Sequence, residues 1–402
     1  MAHTVKKKSV LIVGAGPAGL VAAKTFKQYG YAVSVYEAAD RVGGMWRDER
    51  GGSGDKCSPN MRTNLSRFTV AFSDLSWTSV NLSDMDGSTP GGLPMFLRAW
   101  QVGRYLETYA KEFDITPCLS LRRRVVNAFV EEDQTWKIVS EDVSGELDMR
   151  TFDHLIVASG FFNKPAHTFD PSPTKDLSNI QHSSRFRDLP KLTSSPGKVV
   201  VIGGGISGSE AAAQAAFQIS NAEHAPSKTK PAHAASKVYH IINRPFYCLP
   251  RYLPQDPQIS DGKFNPAPKF LPLDLVMYNL SRRGGEEISA AITTIPPEKA
   301  QKGHEFIRTA SGGDQSDVGH LELVYQDFQM RYPAYTGITD TYLEFVRSGV
   351  IVPVKGWVEE VTQKGDSDRL NIHLKQYDPW YHAPENEATA SRICQVNSLS
   401  VN

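Results

Sequence analysis

The chain has 402 residues, 40% hydrophobic and 22% charged, which suits a globular protein with room for two cores. Its 44 basic and 44 acidic side chains cancel, so no global field favours nucleic acid or an anionic membrane surface as a partner. No apolar run is long enough for a transmembrane segment, and Cys57, Cys118, Cys248 and Cys394 form no C-x-x-C pair, which argues against a disulfide scaffold, a metal site or a redox dithiol and for a reducing, cytoplasmic setting.

Lys6, Lys7 and Lys8 lead into a short apolar run with the outline of a leader peptide, but the run ends in Gly14-Ala15-Gly16. It reads as a strand, Val10 to Val13. A turn from Gly14 to Gly19 follows, then a helix from Leu20 to Tyr29 stopped by Gly30, and a second strand from Ala32 to Tyr36. This β-α-β unit implies a parallel sheet. Residues 48–60 read as a loop, Val102 to Phe113 as a helix, Ser140 to Phe152 as a polar turn between strands, and His154 to Val157 as a strand ending at Ala158-Ser159-Gly160. Residues 163–195, rich in Pro, Ser and Asp, read as a linker. The pattern then restarts with a strand at Lys198 to Ile202, a turn at Gly203 to Gly208, an Ala-rich helix at Ser209 to Ile219, a loose surface insertion at 222–236 and a strand at Lys237 to Ile242. Residues 253–320 give no clear elements, while Tyr342 to Val346 reads as a helix and Val350 to Val354 as a strand. The expected fold is α/β: two Rossmann-like dinucleotide-binding domains with parallel sheets and helices on both faces. They span residues 1–162 and 196–370, and a divergent tail, 371–402, leaves open a partial return to the first domain.

Gly14-Ala15-Gly16-Pro17-Ala18-Gly19 sits between strand and helix, where each glycine has a task. Gly14 permits the tight turn, Gly16 lets a pyrophosphate approach the backbone, and Gly19 lets helix and strand pack closely. The helix start favours the negative charge. Glu37, at the end of the second strand, is the acid expected to accept from a ribose hydroxyl. The plain structural alternative is a glycine turn without a ligand. In Arg41-Val42-Gly43-Gly44-Met45-Trp46, the paired glycines would let the backbone pass close to a flavin's ribityl and phosphate groups. Gly203-Gly204-Gly205-Ile206-Ser207-Gly208 repeats the cradle, with Gly203, Gly205 and Gly208 in the corresponding places. The strand after it ends in Asn243-Arg244 instead of an acid, and a cation there suits the 2′-phosphate of NADPH better than the free hydroxyl of NADH. Arg244 as an ordinary surface residue is the alternative. Two cradles in one chain suit FAD held at the first and a hydride donor, NADPH, brought by the second.

With these motifs in this order, the chain resembles the flavin-containing monooxygenase family, the class B flavoprotein monooxygenases, from about residue 8 to about 360. The likeness includes Asn64 in Met61-Arg62-Thr63-Asn64-Leu65-Ser66, Phe72-Ser73-Asp74, the Ala158-Ser159-Gly160 crossing near FAD, Val125 after Arg122-Arg123-Arg124 near the adenine, and Ser207 in the second turn. The family's linker fingerprint is half present: His182 and Phe186 fit, whereas Asp176 and Ser178 stand where Phe and Gly are expected. His182 as a linker histidine bonded to backbone is an equal reading. The family's returning acidic strand ending in Ala-Thr-Gly-Tyr is not found after Val354; the tail carries Tyr377-Asp378-Pro379-Trp380-Tyr381-His382 instead. A short member, a truncated one and a replaced end all fit.

The resemblance implies an enzyme that uses FAD, NADPH and O₂ to insert one oxygen into a small-molecule substrate through a C4a-hydroperoxyflavin. Asn64 would be the catalytic hydrogen-bonding residue beside the flavin, with an Asx-type turn as its structural alternative. By analogy alone, the substrate is an aromatic polyketide or an alkaloid-like amine of secondary metabolism. A homodimer is left open. The competing readings are a flavin oxidase or phenol-coupling enzyme, and a truncated, non-catalytic nucleotide-binding remnant.

Overall fold

Val10 and Ile12 face one side of the first strand and Leu11 the other, and all three are fully buried, so both faces of the sheet they start need a cover. The computed structural model describes residues 7–46, 57, 61–82, 93–162, 180–191, 197–255, 259–260, 263–264, 269–277, 295–363, 370–375 and 397–401. The expected loop at 48–60 apart from Cys57, most of the linker, including Asp176 and Ser178, and Tyr377 to His382 of the tail lie outside the described residues. The chain divides into two units, Met1–Pro165 and Ala166–Asn402.

In the first unit, β1 (Ser9–Val13), α1 (Pro17–Gln28) and β2 (Ala32–Tyr36) form the expected β-α-β unit, followed by α2 (Ala99–Glu112) and β3 (Leu119–Ser120). After β4 (Arg124–Val130), β5 (Trp136–Glu141) and β6 (Leu147–Phe152), the chain returns in β7 (His154–Val157). The parallel sheet has the order β3-β2-β1-β7, with Val10 opposite Val33 on one side and His154 on the other. One face packs Val10, Ile12 and Val35 against Leu20 and Ala23 of α1 and Leu106 and Tyr109 of α2. The other face packs Leu11 and Tyr36 against Ile138 and Phe152 of the antiparallel β4-β5-β6 meander. Each fully buried side chain of this size contributes roughly 1.5–3 kcal/mol. The stretch from Ser140 to Phe152 is therefore mostly strand, and only residues 142–146 turn.

The second unit repeats the plan. Its elements are β8 (Lys198–Ile202), α3 (Ile206–His224), β9 (Lys237–Ile242), β10 (Tyr247–Leu249), β11 (Tyr252–Gln255), β12 (Ile259–Ser260), β13 (Lys263–Phe264), β14 (Lys269–Pro272), α4 (Leu273–Met277), α5 (Pro297–Ser311), β15 (Thr336–Ile338), α6 (Tyr342–Arg347), β16 (Ile351–Lys355), β17 (Trp357–Gln363), β18 (Leu370–Lys375) and β19 (Asn397–Val401). The parallel sheet runs β16-β9-β8. Ala212, Ala216 and Ile219 of α3 and Tyr342 and Val346 of α6 cover one face. Val358, Val361, Ile372 and Leu374, from antiparallel β17 and β18, cover the other. The two parallel α/β sheets are thus as expected, but the expectation of helices on both faces is corrected. Among the described residues each sheet carries helices on one face and an antiparallel meander on the other. The insertion at 222–236 is also tighter than expected: α3 runs on to His224, and Ala232–Ala235 forms a single turn that buries His233 and Ala234.

Candidate functional site

The tip of β1 shows why three glycines stand in the first turn. Gly14 has φ +104°, and a Cβ on it would lie 2.5 Å from the Ala158 carbonyl oxygen. A Cβ on Gly19 would lie 1.9 Å from the Gly14 oxygen, so the helix touches the turn itself. The backbone of Gly16 meets that of Gly44: a Cβ on Gly44 would stand 3.1 Å from the Gly16 Cα, and the Gly43 N–H donates to the Ala15 carbonyl at 2.9 Å. The Ala158 N–H donates to Val13 at 2.9 Å, which fixes the crossing that closes this side. Gly160 follows with φ +76° and is exposed.

Glu37 is half-buried beside this turn. Its Oε2 accepts from the Ala15 N–H at 2.7 Å and its Oε1 from the Ala39 N–H at 2.9 Å. The backbone N–H groups of Arg122 and Arg123 donate to Ala39 and Glu37 at 2.7 and 2.9 Å, bringing the segment before Val125 alongside the acid. Val125 is half-buried on β4, opposite Ser140. Helix α1 starts at Gly16 with no side-chain cap and no acid in its first turn, so its N-terminal donors suit an anion. The structure therefore brings Gly14, Gly16, Gly19, Glu37, Gly44 and Ala158 together. Trp46 packs half-buried against the core, and Met45 is 42% exposed. Asn64 is half-buried in a segment tied to the start of α2: the Thr63 N–H donates to Leu97, the Leu97 N–H to the Thr63 hydroxyl, and the Ala99 N–H to Met61, at 2.8, 3.0 and 2.8 Å.

The second turn has the same build with one difference. Gly203 has φ +124°, and a Cβ on Gly208 would lie 1.8 Å from the Gly203 oxygen. Helix α3 starts at Gly205, again with no side-chain cap and no first-turn acid, and Ser207 is exposed. A Cβ on Gly205 would meet nothing within 4 Å, leaving room at the helix start for a pyrophosphate. What differs is a buried histidine behind the turn, which the motif reading missed. His240 is fully buried; its Nε2 lies 2.9 Å from the Gly203 carbonyl and its Nδ1 2.7 Å from the Tyr342 hydroxyl. The carbonyl can only accept, so Nε2 donates to it and Nδ1 accepts from Tyr342. Burial lowers the pKa of His240 to about 4, and the ring is neutral. A sequence signal existed: His240 stands at an inward position between Val238 and Ile242 on an apolar strand.

Arg244, half-buried just beyond β9, has its guanidinium over the Tyr335 ring, 3.0 Å from the centroid. The linker's His182 closes a local turn, its Nδ1 2.9 Å from the Ser184 hydroxyl and 3.2 Å from the Ser184 N–H that donates to it. Phe186 packs against the second core. No group of three or more His, Cys, Asp or Glu among the described residues could hold a metal ion, and no helix among them is long and apolar enough to cross a membrane.

The model of the pyridine nucleotide-disulphide oxidoreductase family matches residues 8–253, a span that includes both turns and Arg244. Flavin-containing monooxygenase FMO GS-OX-like 6 of Arabidopsis thaliana is 27% identical over 268 residues, covering 60% of this chain and 53% of its own length. Flavin-containing monooxygenase 5 of Rattus norvegicus is 26% identical over 216 residues, covering 52% and 38%. The chain thus spans about half the length, or less, of these curated relatives. A crystal structure of OTEMO in complex with FAD and NADP superposes with a TM-score of 0.56 at 18% identity, covering 92% of this chain and 69% of that one. An oxidized steroid monooxygenase bound to NADP gives 0.53 at 18%, covering 91% and 68%. At such identities the structural likeness establishes the fold.

Proposed function

The chain belongs to the pyridine nucleotide-disulphide oxidoreductase family, and on that premise we propose that it is a flavin-dependent monooxygenase that takes FAD at the first glycine turn and NADPH at the second. One observation carries the reading: the same turn is built twice, each time with a glycine that must touch the first glycine's carbonyl and a helix start lacking both cap and acid. The residues fit their ligands. The Gly16–Gly44 contact gives a side-chain-free surface for the pyrophosphate of FAD, and the open space at Gly205 gives the same for NADPH. Sequence relatives named flavin-containing monooxygenases support the activity, and the structures with FAD and NADP support the cofactor pair.

Bound FAD, reduced by NADPH, would supply the chemistry that activates O₂ and transfers one oxygen to a small organic substrate. The chain's residues bind and orient. Each Glu37 oxygen keeps a second lone pair for a ribose hydroxyl after accepting its backbone N–H. Met45, Trp46, Val125, Ala158 and Gly160 would line the FAD, Gly203, Gly205, Ser207 and Gly208 the NADPH pyrophosphate, and Arg244 the 2′-phosphate. Asn64 would donate its amide N–H beside the flavin edge. In this reading residues 1–162 form the FAD domain, 163–195 the linker and 196–370 the NADPH domain, and the protein works in the reducing cytoplasm. The substrate class is an aromatic polyketide or alkaloid-like amine of secondary metabolism.

The visible spectrum of the purified protein, before and after adding NADPH in air, tests this. A flavin spectrum that bleaches and recovers, with label from ¹⁸O₂ appearing in the product, is the expected result. A flavin that turns over without label in any product points to an oxidase. A colourless protein that cannot be reconstituted with FAD overturns the reading in favour of a non-catalytic remnant.

A further inference from the structure

Arg244 lies just after β9 and Tyr335 just before β15, yet the two side chains stack, with the guanidinium carbon 3.0 Å from the ring centroid. Two neighbours put the pair beside the second turn. The Oδ1 of Asn243 lies 3.6 Å from where a Cβ on Gly204 would stand, and a Cβ on Gly337 would lie 3.2 Å from the hydroxyl of Ser209, in the first turn of α3. The backbone of Tyr335 is bonded to an ordered set of interior rings. Its N–H donates to the Tyr325 hydroxyl at 2.9 Å, and Tyr325, buried, stacks on fully buried Tyr247 with centroids 4.9 Å apart. The Tyr247 hydroxyl meets His304 Nδ1 at 3.0 Å and accepts from Arg308 Nε at 3.1 Å. The Tyr247 N–H also donates to the Tyr335 carbonyl at 2.8 Å, so the backbone that carries the ring under Arg244 is tied on both sides to a fixed interior.

An arginine that pairs with a phosphate gives up rotamer freedom at that moment; one already stacked on a fixed ring has given up most of it beforehand. Stacking uses the flat face of the guanidinium, whereas phosphate oxygens bind its N–H groups in the plane, so the two contacts are compatible. We infer that Tyr335 is the positioning residue for dinucleotide choice, an aromatic platform that holds Arg244 where an adenosine 2′-phosphate binds. The inference rests on the reading of the second turn as the NADPH site.

The test is equilibrium binding of adenosine 2′,5′-bisphosphate and of 5′-AMP, which lacks the 2′-phosphate, to the full chain. Tyr335→Leu is expected to weaken the bisphosphate about five- to tenfold and leave 5′-AMP unchanged. Tyr335→Phe, which keeps the ring, is expected to bind both like the parent protein. In an Arg244→Ala background, Tyr335→Leu should have no further effect. Equal weakening of both ligands by Tyr335→Leu, or no change in either, overturns the inference while Arg244→Ala still discriminates between them. If Arg244→Ala itself fails to discriminate, the 2′-phosphate reading falls and takes this inference with it. Tyr335 is 42% exposed, and its bond to Tyr325 runs through the backbone, so Tyr335→Ser serves equally should the leucine variant not fold.

Discussion

At the scale of single residues, Glu37 and Asn64 make separable predictions. The Glu37 carboxylate faces two N–H donors at 2.7 and 2.9 Å. An amide in its place offers one oxygen and turns an NH₂ toward the other donor. Glu37→Gln is expected to lower stability by about 1–3 kcal/mol and to reduce the FAD retained on purification. Denaturant melts and the flavin-to-protein absorbance ratio check both effects, and full retention would remove Glu37 from the site. The segment around Asn64 is tied to the start of α2 by bonds of Met61 and Thr63, which a substitution at 64 leaves in place. Asn64→Ala is therefore expected to leave the fold and the rate of flavin reduction near normal while sending more of the consumed NADPH to hydrogen peroxide. Unchanged coupling of NADPH to product would end the assignment.

At the scale of elements, the second turn is tied to its sheet by a histidine, whereas the first is closed by a backbone crossing at Ala158. The link from Gly203 through His240 to Tyr342 joins turn, strand β9 and helix α6. Its pH dependence has a definite sign. An unfolded histidine titrates near 6.5, while folded His240 resists protonation until about 4. Between those values the unfolded chain binds a proton that the native one cannot. The stability from this site is complete above about pH 6.5 and falls as the pH drops toward 4, by roughly 3 kcal/mol when the full shift is spent. His304, whose pKa burial also lowers, acts in the same direction. Melting temperatures from pH 7 to 4 should therefore fall less steeply for His240→Asn than for the parent chain, with some slope remaining. Identical slopes would refute the linkage.

At the scale of the whole molecule, each unit has its own core and its own turn, so each ligand's effect should be removable by itself. A Cβ at Gly19 or Gly208 would fall within 2 Å of a backbone oxygen, and the turn must move to admit it. Gly19→Ala is expected to abolish the rise in melting temperature on adding FAD and to keep the rise with NADP⁺; Gly208→Ala should do the reverse. At about 100 times Kd each intact site stabilises by about 2.7 kcal/mol, well within reach of a thermal scan. Loss of both responses in either variant would contradict separate sites. The sequence by itself determined the two strand–turn–helix units, the parallel sheets and the place of Glu37, because glycine spacing and apolar periodicity report local backbone geometry and buried faces. It did not determine that meanders cover the second faces. Across β5 and β6 the covering face mixes Ile138 and Phe152 with Ser140, Asp148 and Arg150, while Leu147 and Met149 on the other face stand exposed, so apolar pattern does not mark the buried side. Nor could it show Gly44 against Gly16, His240 against Tyr342 across 102 residues, or Arg244 on Tyr335. These contacts join segments far apart in the chain, and nothing in the local pattern of either partner carries the distance between them; packing alone decides it.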